Sequence, residues 1–106
     1  EALETDVPSE IERLARLAPN AQAVRLAVAR QAMRQGASAR GVPLLEELAD
    51  DGVAEAAFHL GVHEIRRGDL VQALRWMEKA ADLNPGHTET GAQILGLKQA
   101  LGLSTH

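Results

Sequence analysis

Gly68 and Asp69 constrain this chain more than any other pair, because they separate two stretches that each carry the apolar period of a helix. Before them, Phe58, Val62 and Ile65 fall at spacings of four and three, with Leu60 and Gly61 on an adjoining stripe. That pattern is an amphipathic helix. After them, Leu70, Ala73, Leu74, Met77 and Ala80 share one side of a second helix. Glycine readily adopts the left-handed backbone that ends a helix, and aspartate supplies the acceptor that starts the next. Arg67-Gly68-Asp69 therefore predicts a tight turn. Pro85 lacks a backbone donor and Gly86 relaxes the chain, so the second helix stops before them. Leu60 and Trp76 read as the large buried plugs of this hairpin.

Leu60-Gly61, Gly68-Asp69, Ala73-Leu74, Ala80 and Asn84-Pro85 stand at intervals that resemble a tetratricopeptide repeat over residues 53–86. The small residues have a physical role in such a repeat, since Gly61, Ala73 and Ala80 let two helix backbones approach. Trp76-Met77, with Glu78-Lys79-Ala80-Ala81 behind, also resembles the related Sel-one-like repeat. Glu64 stands where the tetratricopeptide pattern usually has a tyrosine. Leu26-Ala27 precedes Leu60-Gly61 by 34 residues, and Leu95-Gly96 follows it by 35. A small-residue step recurring at that period marks an array of helical hairpins.

The resemblance implies one all-α domain over residues 1–106, a helical-hairpin solenoid of about six helices. Ser9 and Glu12 have the spacing of a capping box, and predict a capping helix over 8–18. A degenerate repeat occupies 20–52: a helix from Ala21 to Gln35, a long turn from Gly36 to Gly41, and a helix from about Val42 to Asp50. Pro43 falls in the first turn of that last helix. The full repeat follows over 53–86, and one last helix over 87–102. Alanine and leucine supply 34 residues against 14 of valine, isoleucine and threonine, a balance that favours helix over sheet.

The net charge of −4 and pI near 5.5 argue against nucleic acid or an anionic membrane as the main ligand. No apolar run reaches the ~20 residues that span a bilayer, so no direct membrane insertion is expected. The expected setting is cytoplasmic, with a periplasmic or membrane-anchored parent protein as the alternative. There is no cysteine, hence neither disulfide nor thiolate chemistry. His59 and His63 stand four apart, a spacing that can hold a metal. No cysteine completes a set, and no glutamate follows His59 as on a zinc-protease helix. They read as two groove or surface histidines. Arg25, Arg30 and Arg34 read as a solvated face. No nucleophile stands with a base, and no phosphate-binding loop is present.

In the family resembled, the first helix of each repeat lines a concave groove that holds extended peptides or partner helices. The resemblance places Val24, Val28 and Gln31, then Phe58, Val62, Ile65 and Arg66, on that groove. Co-chaperones of the family grip a C-terminal carboxylate with Lys, Asn and Arg at such positions. Here Val24, Val28, Phe58 and Val62 occupy them, so an apolar groove for a hydrophobic or helical partner is expected instead. The expected function is a non-catalytic scaffold for a protein or peptide partner, with neither cofactor nor metal. The alternative is homo-oligomerisation through the last helix, at Ile94, Leu97 and Leu101.

Overall fold

A computed structural model of the protein describes residues 22–103. Their regular structure is all helical: α1 (Gln22–Arg34), α2 (Ser38–Asp50), α3 (Ala54–Arg67), α4 (Leu70–Leu83) and α5 (Thr88–Ala100). Five helices thus stand among the described residues, where the sequence reading expects about six. The expected capping helix over 8–18 lies outside the described residues. The chain divides into two compact units, Glu1–Leu48 and Ala49–His106.

In the first unit, α1 closes at Gly36, whose φ of 79° is left-handed. The Gly36 and Ala37 amides donate to the carbonyls of Met33 and Ala32, at 3.1 and 2.8 Å. The long turn expected from Gly36 to Gly41 is not there. α2 begins at Ser38, and the amides of Arg40 and Gly41 donate to the Ala37 carbonyl at 2.9 and 3.0 Å. Gly41 is buried inside the helix. A Cβ there would stand 2.5 Å from Met33 Sδ and 3.1 Å from the Ala29 carbonyl oxygen. This glycine is needed for close packing, not for a turn, and a sequence alone does not separate those two uses. Pro43 consequently lies in the second turn of α2 and not the first, where its missing amide removes the helical bond that would reach the carbonyl of Ala39, on an exposed face. Among the described residues of this unit, Ala29, Ala32, Leu45 and Leu48 are the buried apolar ones. An ion pair from Arg25 on α1 to Glu47 on α2 adds to them, so Arg25 is not simply solvated.

The second unit holds α3, α4 and α5, with α4 packed against both others. Gly68 ends α3 with φ 83°. Its amide donates to the Ile65 carbonyl at 3.0 Å, and the Asp69 amide donates to the Glu64 carbonyl at 2.9 Å. This paired closure satisfies two carbonyls that a helix end otherwise leaves open. The Asp69 carboxylate then accepts from the Gln72 amide at 3.1 Å, capping α4. The turn expected from Gly68-Asp69 is present in full.

Small buried residues, Ala56, Ala57 and Gly61 on α3 and Ala73 and Ala80 on α4, lie beside the larger Leu60 and Met77. Ala73, Leu74, Met77 and Leu97 form one buried cluster. Trp76 is only half-buried, whereas its neighbour Met77 is fully buried. Successive helical residues point ~100° apart, so one of the two faces inward, and it is the methionine. Leu60 is a buried plug; Trp76 is not. Glu64 is only 9% exposed, and its carboxylate accepts from Arg67 Nη1 at 2.8 Å. The polar group at this otherwise buried position is therefore answered within its own helix.

Candidate functional site

A cavity of about 310 Å³ lies within the second unit, where the first half of α3 meets the end of α4 and the start of α5. Glu55, Phe58 and His59 line it from α3, Ala80 and Asn84 from the end of α4, and His87, Glu89 and Thr90 from the start of α5. Phe58 is the hub of its aromatic surface. Its ring meets that of His87 edge-on, with centroids 5.4 Å apart and planes at 80°, and that of His59 at 6.0 Å and 71°. Such edge-to-face pairs are worth about 0.5–1.5 kcal/mol beyond the area they bury.

His87 is placed by the turn after α4. The Asn84 amide donates to the Ala80 carbonyl at 2.9 Å, and the His87 amide donates to the Asn84 carbonyl at 3.2 Å. His87 then serves as the N-cap of α5. Its Nδ1 accepts from the Thr90 amide at 3.3 Å and lies 2.6 Å from the Thr90 hydroxyl oxygen. The imidazole does the work that serine, threonine or aspartate usually does, while its face stays available to Phe58. On the opposite wall, His59 Nε2 lies 3.5 Å from Glu55 Oε2, one helical turn away.

The structure divides the residues of the expected groove. Val24, Val28 and Gln31 lie on α1 in the first unit, half-buried, and the Gln31 side-chain oxygen accepts from Arg34. Of the four on α3, Phe58 lines the cavity, and Arg66 is exposed. Val62 and Ile65 are partly buried, packed with Phe58 against the cluster of Met77 and Leu97. Much of their apolar surface is thus already spent inside the unit. The positions expected to mediate self-association lie on the side of α5 that faces the unit's own core. Leu97 is 5% exposed and belongs to the buried cluster, with Ile94 and Leu101 packed against it. A helix that looks unpartnered in sequence is held by α4. The exposed apolar residues at this end are Leu95 and Leu103, at 48% and 49%.

His59 and His63 do not form part of a larger ligand cluster: among the described residues, no group of three or more His, Asp or Glu is placed to hold a metal. Among the same residues no helix is long and apolar enough to cross a membrane. Sequence reasoning reached Phe58 but missed Glu55, Asn84, His87, Glu89 and Thr90. The only local signal was the helix start after Pro85-Gly86, and that signal does not disclose that His87 lands on a ring 29 positions earlier. No protein-family model and no curated protein matches this sequence.

Proposed function

We propose that this chain is a non-catalytic interaction module of the tetratricopeptide or Sel-one-like type, holding a peptide or partner domain against α3. The observation that supports this most is the position of Phe58. The repeat pattern assigns it to the partner-binding face, and in the fold it lines an open cavity between three helices. Concave sites of about 300–1,000 Å³ are the usual size for a bound group, and this one is at the lower limit, suited to a side chain of a partner. The module uses no metal and no cofactor. A library of phage-displayed random peptides, selected on the full chain, tests the reading. Enriched peptides should bind in solution by calorimetry and weaken at least tenfold with Phe58→Ala, about 1.4 kcal/mol. Selection that enriches nothing over the bare support overturns it.

A second reading is pairing between copies, favoured by the exposed Leu95 and Leu103. Light scattering across a concentration series decides it, since a chain that stays monomeric at high concentration removes this reading.

A further inference from the structure

We propose that the outward face of α5 is a second docking surface, which takes an amphipathic helix of α4 type from a partner protein. A repeat within the chain defines this face. On α3 the buried residues are Ala56, Ala57, Leu60, Gly61 and Glu64. Counted 35 positions on, the same places on α5 hold Gly91, Ala92, Leu95, Gly96 and Gln99. All five are exposed, Leu95 by 48%. The two sets match in size: two small residues, leucine, glycine, then glutamate against glutamine, its uncharged isostere. α3 closes its set with a neighbouring helix. Gly61 receives Met77 of α4, whose Cε would stand 2.7 Å from a Cβ on that glycine. On α5 nothing lies within 4 Å of a Cβ built on Gly91 or Gly96. The inward residues Ile94, Leu97 and Leu101 already meet the core around α4. α5 thus keeps open, on its other side, the surface with which α3 holds α4.

The occupant follows from what fills the equivalent face. α4 brings Ala73, Met77 and Ala80, all buried, a long flexible plug between two small residues. Packed helices lie about 8–10 Å apart, the distance set by the side chains at the contact. Small residues on both sides of the plug bring the backbones to the near end of that range. A partner helix with the spacing of Ala73, Met77 and Ala80 therefore seats its methionine or leucine on Gly96. None of the five residues on α5 is charged, so the partner's matching stripe is apolar. A second copy of this chain does not offer such a helix, because its own α4 already lies between α3 and α5. Its α5 would set one glycine-centred face on another, without the methionine that fills the gap on α3. The surface is separate from the cavity beside Phe58 and does not depend on what that cavity holds.

The test adds a synthetic peptide with the sequence of α4, from Asp69 to Asn84, to the full ¹⁵N-labelled chain. The peptide carries Glu78→Lys, joined as a lactam to Asp82. Both positions are exposed on α4, and the bridge offsets the marginal stability of a lone helix. Saturable NMR shifts should appear at the amides of Ala92, Leu95, Gly96 and Gln99, and not at Ala57 or Gly61, whose face is filled. The same peptide with Met77→Ala should bind about tenfold more weakly. Gly96→Gln in the chain should also weaken the peptide roughly tenfold or more. Its thermal melt should not fall, because the position is helical, exposed and open. No saturable response overturns the proposal. Shifts confined to α3 show exchange with the chain's own α4 and also overturn it. A wild-type chain that dimerises, and becomes monomeric with Gly96→Gln, assigns the face to a second copy and overturns the partner helix. The peptide selection at Phe58 reads a different surface, so failure here leaves that reading standing.

Discussion

A Cβ built on Gly61 would stand 2.7 Å from Cε of Met77 and 3.0 Å from its Cγ and Sδ. The missing side chain on α3 is what lets the methionine of α4 lie directly against the helix. Met77 is fully buried, so its side chain has no solvent to swing into. Gly61→Ala gains up to ~1 kcal/mol of helix propensity but overpacks a closed site, a change that typically costs ~1–3 kcal/mol. The overpacking should win, with a net loss of about 1 kcal/mol in chemical denaturation. Gly96 is the control. It is helical and exposed, with nothing within 4 Å of a built Cβ, so Gly96→Ala should stabilise by about 0.5–1 kcal/mol. Equal stabilisation by both would refute close packing at Gly61.

Leu60 and Trp76 should separate in the same assay. Leu60 is 1% exposed, and Leu60→Ala should remove ~2–5 kcal/mol through lost burial and a residual cavity. Trp76 is half-buried, so Trp76→Ala should fall below the ~3–5 kcal/mol of a buried aromatic. A larger loss at Trp76 than at Leu60 contradicts the inward placement of Met77.

His87 acts twice, as a cap and as a ring, and two substitutions resolve the parts. His87→Ala removes the acceptor for the Thr90 amide and the contact with Phe58, and should cost about 1–3 kcal/mol. His87→Asp restores the cap without the ring, so it should recover about 1 kcal/mol of that loss. If aspartate recovers nothing, the hydrogen bond to Thr90 does not hold α5.

Leu97→Glu should unfold the second unit and not merely separate copies. A carboxylate introduced among Ala73, Leu74 and Met77 has no partner there, and an unpaired buried charge costs several kcal/mol. Leu95→Glu, on exposed surface, should change stability by less than about 0.5 kcal/mol. Circular dichroism melts read the difference. A folded, more monomeric Leu97→Glu protein would return the interface to Leu97.

The feature most legible in the residues was one that depends on neighbours in sequence, the turn at Gly68-Asp69. Gly68 and Asp69 carry their own backbone preference and hydrogen-bond acceptor, so the hairpin of α3 and α4 could be placed before any fold was known. Capping and turn chemistry act over three or four residues, which is the range a sequence displays. Phe58 was legible for a related reason, since helical spacing marks its face. Gly36 and Gly41 show where that range ends. Both looked like turn glycines, yet Gly41 lies within α2 against Met33, and only the approach of α1 reveals the need for it.

Contacts across helices required the fold. Trp76 and Met77 are adjacent large apolar residues, and the direction in which α4 presents them depends on how it sits between α3 and α5. Leu97 lacked a visible partner because the residues it meets, Ala73, Leu74 and Met77 of the preceding helix α4, lie some twenty positions back, outside any local pattern. His87 carried a weak start signal for α5, but its edge-on contact with Phe58 exists because the turn after Leu83 returns the chain to the start of α3. Periodicity tells which side of a helix is apolar; it does not tell what that side will touch. The core and the cavity both follow from which helices meet, and that is a property of long-range packing, whose free energy is shared among residues far apart in sequence.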